Sequence, residues 1–110
     1  MKLKDYFCHW RKVESITIRM KNQTFGFHAG VDECEITLLA DDEVGLTIPC
    51  ISHSCTGSSG YDIGKIVAEA LDSKDGHAKG RIDCNGREHT KPGALACTGR
   101  LYYEAQAIFV

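Results

Sequence analysis

The chain has 110 residues, 43% of them hydrophobic and 25% charged, with 11 Gly, 2 Pro and no low-complexity run. That is the material of one small domain, residues 1–110, with a single modest core; it excludes a two-domain enzyme, a collagen-like or disordered chain and a helical membrane span. The net charge of −2 hides segregation: residues 1–21 carry +4, residues 22–64 carry −7 without one Lys or Arg, and residues 65–110 carry +1.

Leu3, Tyr6, Phe7 and Trp10 recur at helical spacing, so a short N-terminal amphipathic helix is expected. A strand follows over Glu14–Met20, with Ile16, Ile18 and Met20 on one face, then a turn at Lys21-Asn22-Gln23 and a strand over Thr24–Ala29. Cys34, Ile36, Leu38 and Ala40 alternate with Glu35, Thr37 and Leu39, and after Asp41-Asp42 Val44, Leu46 and Ile48 alternate with Gly45 and Thr47. The pattern predicts a hairpin turning at the Asp pair and ended by Pro49.

A Ser/Gly loop at 51–60 leads to a helix over Tyr61–Ser73, whose Ile63, Ile66, Val67, Ala70 and Leu71 form one stripe. Ser59 to Asp62 has the spacing of a capping box, and Gly76 supplies a stop. A strand at Arg81–Cys84 should pair with Arg87–Thr90 through Asn85-Gly86, a strong hairpin dipeptide, before a turn at Lys91-Pro92-Gly93. The last strand, Arg100–Val110, puts Leu101, Tyr103, Ala105, Ala107 and Phe109 on one face and is expected inside the sheet. Strands in runs with one strong helix predict an α+β fold: an antiparallel sheet of about five to seven strands with that helix packed across it.

No apolar stretch follows Met1 to Phe7, so no signal peptide is read and a cytoplasmic address is expected. The six cysteines (Cys8, Cys34, Cys50, Cys55, Cys84 and Cys97) then read as free thiols or metal ligands rather than a disulfide framework. Zinc is the one cofactor the spacing suits. Cys50 and Cys55 with Cys84 and His89, or Cys97 in the place of His89, make two loosely spaced ligand pairs for a tetrahedral site. Buried core cysteines are the ordinary alternative.

Thiol chemistry has one candidate, Cys55, in a Ser/Gly loop ahead of a helix start that can stabilise a thiolate. A cysteine-phosphatase loop does not fit: Ser54 separates His53 from Cys55, and the sixth position after the Cys is Tyr61 instead of Arg. A nucleotide P-loop fails too, because Gly60 and Gly64 are too closely spaced and Lys65 precedes Ile66. No His or carboxylate pair has the spacing of an acid–base site, so a non-enzymatic role is expected.

The anionic stretch speaks against nucleic acid as a partner and for a protein with a basic surface. The expected contact patch is Asp32, Glu33, Glu35, Asp41, Asp42 and Glu43, each able to bind a Lys or Arg of the partner. By size and charge the chain is like the compact inhibitors or accessory factors of phages and mobile elements that occlude a nucleic-acid-binding surface. The alternative is a zinc-stabilised module.

Overall fold

Alternating apolar and polar side chains carry the chain through 12 residues of continuous strand, and this strand becomes an interior member of the main sheet. The computed structural model describes residues 2–5, 12–24, 30–51, 55–56, 60–88, 95–96 and 99–110, with the backbone alone at 55–56, 87–88 and 95–96. In chain order the described elements are a 3-10 turn at Leu3–Asp5 and strands β1 (Val13–Thr24), β2 (Gly30–Leu39), β3 (Thr47–Ile48), β4 (Cys55–Thr56) and β5 (Tyr61–Asp62). Helix α1 (Ile63–Asp72) follows, then β6 (His77–Asp83), β7 (Arg87–Glu88), β8 (Leu95–Ala96) and β9 (Arg100–Phe109). The main sheet has the order β2-β1-β9-β6, every pair antiparallel. Two small sheets, β3-β5 and β4-β7-β8, complete an α+β fold.

One face of the main sheet is apolar. It presents Ile16, Ile18 and Met20 from β1, Leu101, Tyr103, Ala105 and Ala107 from β9, Leu38 from β2 and Ala78 from β6. Helix α1 packs on β9 and β6 and buries Ile63, Ile66, Val67, Ala70 and Leu71. Each fully buried Ile or Leu here contributes on the order of 1.5–3 kcal/mol relative to exposure. Ala78 pairs with Ala105, giving a shallow floor over which the helix stripe can settle.

The helix begins where the Asp62 carboxylate accepts a hydrogen bond from the Gly64 amide at 2.8 Å, an N-cap. It ends at Ser73 in extended backbone, and Gly76 at φ +72° turns the chain into β6. The N-terminal segment lies on the turn after β2. Leu3 is fully buried there, its amide donating to the Asp42 carbonyl and the Lys4 amide to that of Ala40, both at 2.9 Å.

Several expectations are corrected by tertiary partners. Lys21-Asn22-Gln23 is strand, not turn: Lys21 pairs with Glu33 and Tyr102, and buried Asn22 donates from Nδ2 to the Pro49 carbonyl at 2.9 Å. Thr24 closes β1, and the remainder of the strand expected over Thr24–Ala29 lies outside the described residues. Asp41-Asp42 does turn the chain, but residues 44–48 do not return along β2. A tight bend, with the Leu46 amide 2.6 Å from the Val44 carbonyl, sends Thr47–Ile48 to β5. The hairpin partner of β2 is β1, with Thr24 opposite Gly30.

Asp62 is itself the helix N-cap and not the N3 partner of a cap at Ser59, a residue outside the described ones. Asn85-Gly86 joins two different sheets: β6 pairs with β9, whereas β7 pairs with β4 and β8. The N-terminal helix reduces to the 3-10 turn over the described residues, with Tyr6, Phe7 and Trp10 outside them. The last strand matches its expected face and interior place, and the Val110 amide donates to the Lys12 carbonyl at 2.9 Å.

Gly76→Ala tests this packing. A Cβ at Gly76 would stand 2.7 Å from Phe109 Cε2 and 3.1 Å from Ala107 Cβ, in left-handed backbone. Urea unfolding should show a loss of about 1–3 kcal/mol. Gly45→Ala, with nothing within 4 Å of the new Cβ, should leave stability within about 1 kcal/mol of the parent.

Candidate functional site

Strand alternation gives the main sheet a second, polar face, ordered by the strand register into rows that cross all four strands. One row is Glu35, Arg19, Glu104 and Lys79; the next is Glu33, Lys21, Tyr102 and Arg81. A third holds Thr37, Thr17, Gln106 and His77. Direct contacts bind the rows together. Arg19 Nε lies 2.7 Å from Glu35 Oε2, the Thr17 and Thr37 hydroxyls are 3.1 Å apart, and His77 Nε2 is 3.1 Å from Glu104 Oε2. Such exposed cross-strand pairs contribute about 0.2–1 kcal/mol each and are weakened by salt.

Between the two charged rows the side chains of Met20, Cys34 and Tyr103 belong to the other face and Gly80 has none, so bare backbone floors an open trough of about 520 Å³. Its walls alternate in sign. His77 holds the Glu104 carboxyl below its ordinary pKa, chiefly by hydrogen bonding, and Arg100 does the same to the Tyr102 phenol.

The six carboxylates of the expected patch divide between a strand and a turn. Asp32, Glu33 and Glu35 lie exposed on β2, the outermost strand of the main sheet. Asp41, Asp42 and Glu43 lie in the turn that follows. Glu35 is paired with Arg19, and Glu33 sits opposite Lys21. Asp41 Oδ1 is 2.7 Å from Lys4 Nζ, which lowers the Asp41 pKa and raises that of Lys4. Asp42 Oδ2 accepts from the Leu39 amide at 2.8 Å and so fixes the turn, while the backbone of Glu43 forms an isolated antiparallel β-bridge with that of Lys2. The cationic first block is thus folded against the anionic second one.

Two of the named cysteines lie beside one glycine. A Cβ built at Gly99 would stand 2.7 Å from Cys50 Sγ, 2.9 Å from the Tyr61 hydroxyl and 3.2 Å from Cys84 Cβ, so Gly99 is the gap into which these side chains fit. Cys84 Sγ also accepts from the Gly86 amide at 3.4 Å. Cys55 belongs to β4 by its backbone; its side chain, His89 and Cys97 lie outside the described residues. Among the described residues no three His, Cys, Asp or Glu side chains gather as a metal site. Cys34 lies on β2, its pKa pushed up by partial burial and by Asp32.

Sequence reasoning missed Lys79, Arg81 and Glu104 as members of one surface with the β2 carboxylates. The alternation of Lys79, Arg81 and Asp83 was the available signal, obscured by starting that strand at Arg81 instead of His77. No family model, curated protein or solved structure matches the chain. Among the described residues no helix is long and apolar enough to cross a membrane.

On the apolar face the Tyr103 hydroxyl donates to Glu69 Oε2 at 2.6 Å, joining β9 to α1, and burial together with this carboxylate pushes its pKa up to about 12. The neutral phenol is the form the fold favours. Its contribution is therefore complete below the ordinary tyrosine pKa near 10 and is lost as pH rises from about 10 to 12. Stability measured across this range should fall less steeply in Tyr103→Phe than in the parent, and the absorbance titration should lose its latest-ionising tyrosine.

Proposed function

We propose that the chain is a non-enzymatic protein-binding module that takes a basic partner along the acidic edge strand β2 and its following turn. One observation carries this reading. β2 is a ten-residue edge whose outer side faces no strand among the described residues, and it bears Asp32, Glu33 and Glu35. An arriving extended segment can take up the free backbone groups of such an edge, while its Lys or Arg side chains meet the carboxylates. Each β2 carboxylate of the charged rows has a β1 cation on its inner side only, so a cation arriving from outside completes the row. Capture of a basic surface in this way would occlude it, the action of an inhibitor or accessory factor.

A peptide of alternating Lys and Thr, seven residues long, is a suitable probe. At low ionic strength it should shift the amide resonances of residues 31–37 before others. The double variant Glu33→Gln/Glu35→Gln should bind it about 3- to 10-fold more weakly, the equivalent of two exposed charge pairs. Equal binding by parent and variant would remove the reading. Asp42 is left intact in this test because its carboxylate holds the turn.

The convergence of Cys50 and Cys84 on Gly99 favours a second reading, a zinc-stabilised module in which these thiolates are two of four ligands and Cys55 with His89 or Cys97 completes the set. It predicts one zinc per chain by elemental analysis of freshly purified protein and a melting temperature lowered by chelator. Protein without stoichiometric metal and with an unchanged melt would exclude it.

A further inference from the structure

The two charged rows of the polar face share a polarity. Each starts on a carboxylate at the β2 edge, Glu35 or Glu33, and each ends on a cation at the β6 edge, Lys79 or Arg81. Three antiparallel steps separate these edges, so β2 and β6 run in opposite directions. A second copy moved sideways with the same face outward therefore sets its β2 antiparallel beside β6 of the first. Among the described residues no strand pairs with the outer side of either edge.

We infer that the chain associates with further copies of itself edge to edge, β2 of one molecule adding to β6 of the next. This rests on the reading of β2 as a protein-binding edge and names its occupant. Following the level of the rows, Glu35 meets Lys79 of the neighbouring copy and Glu33 meets its Arg81. On the apolar face Ile36 lies opposite the neighbour's Ala78, and Cys34 opposite its Gly80, so small residues face the larger ones. No like charges are directly opposed in this register.

The two symmetric alternatives lack this match. Pairing β2 with β2 brings carboxylates together, and pairing β6 with β6 does the same for Lys79 and Arg81; like charges directly across strands are destabilising. A contact between two different edges is heterologous. Sheet twist turns each copy relative to the last, so the assembly grows as an open series instead of closing as a dimer.

The test is sedimentation velocity of the whole chain over a concentration series. At low ionic strength the average sedimentation coefficient should rise with concentration. In about 1 M salt, where charges act over only about 3 Å, it should return to the monomer value. Glu33→Lys/Glu35→Lys and Lys79→Glu/Arg81→Glu should each associate at least tenfold more weakly than the parent, and an equimolar mixture should recover association. Circular dichroism checks that each variant is folded; if the β2 variant is not, the β6 variant and the salt series still decide.

Lys65→Glu/Lys74→Glu, on and after α1, has the same net charge as the β6 variant but leaves both edge strands intact, and should by itself associate like the parent. A parent that stays monomeric at low salt, an edge variant that assembles like the parent, or an α1 control that loses association as the β6 variant does would each overturn the inference. A monomeric parent whose β2 amides still shift with the Lys/Thr peptide would lose self-association and keep the protein-binding reading. Failure of the peptide as well would remove both.

Discussion

The register of β1 against its two neighbours is the constraint on which the rest depends. A strand has period two, so a slip of one residue against β2 or β9 would put Ile16, Ile18 and Met20 on the solvent side and Arg19 and Lys21 in the core. With the register as it stands, the same alternation that closes the core under α1 also builds the polar face. Arg19 comes between Glu35 and Glu104, and Lys21 between Glu33 and Tyr102. Core and surface are two consequences of one pairing.

That pairing also explains why the charge blocks of the sequence do not survive as blocks in space. The cationic first segment supplies Lys4 to Asp41 and Arg19 to Glu35, with Lys2 and Lys21 beside Glu43 and Glu33. The two ion pairs, Lys4 with Asp41 and Arg19 with Glu35, are exposed and modest in energy. Their arrangement matters more than their sum. They leave rows of alternating sign whose last members, on the outer strands β2 and β6 of the main sheet, differ in charge. A protein surface built this way can discriminate among arriving strands by the sign of their side chains, which is how specificity is obtained when affinity per contact is small.

The cysteines illustrate a different dependence. Cys50 follows Pro49, Cys84 follows β6, and Gly99 precedes β9, three places far apart in the chain. The Cys84 amide donates to the Gly99 carbonyl at 2.8 Å, and the absence of a Cβ at Gly99 makes room for Cys50 Sγ and Tyr61. Spacing along the chain suggested two ligand pairs, Cys50 with Cys55 and Cys84 with His89. One member of each pair instead borders Gly99, because folding and not local spacing brings β6 and the 47–51 segment to the start of β9.

The helix, the last strand and the α+β class were legible in the sequence, since each rests on local alternation or periodicity reinforced by a cap or a stop. So were the first strand's apolar face and the turn at Asp41-Asp42, whose side chain bonds its own neighbourhood. Strand partners were not legible. Lys21-Asn22-Gln23 reads as a turn until Glu33, Tyr102 and the Pro49 carbonyl are present to receive it, and Asn85-Gly86 reads as a hairpin until β9 claims β6. The amino-acid sequence by itself determined which faces are apolar and which carry charge, because periodicity is a local property of the backbone. Only the tertiary structure decided which charges meet and which strands stand at the edges of the main sheet, because pairing across a sheet depends on residues tens of positions apart.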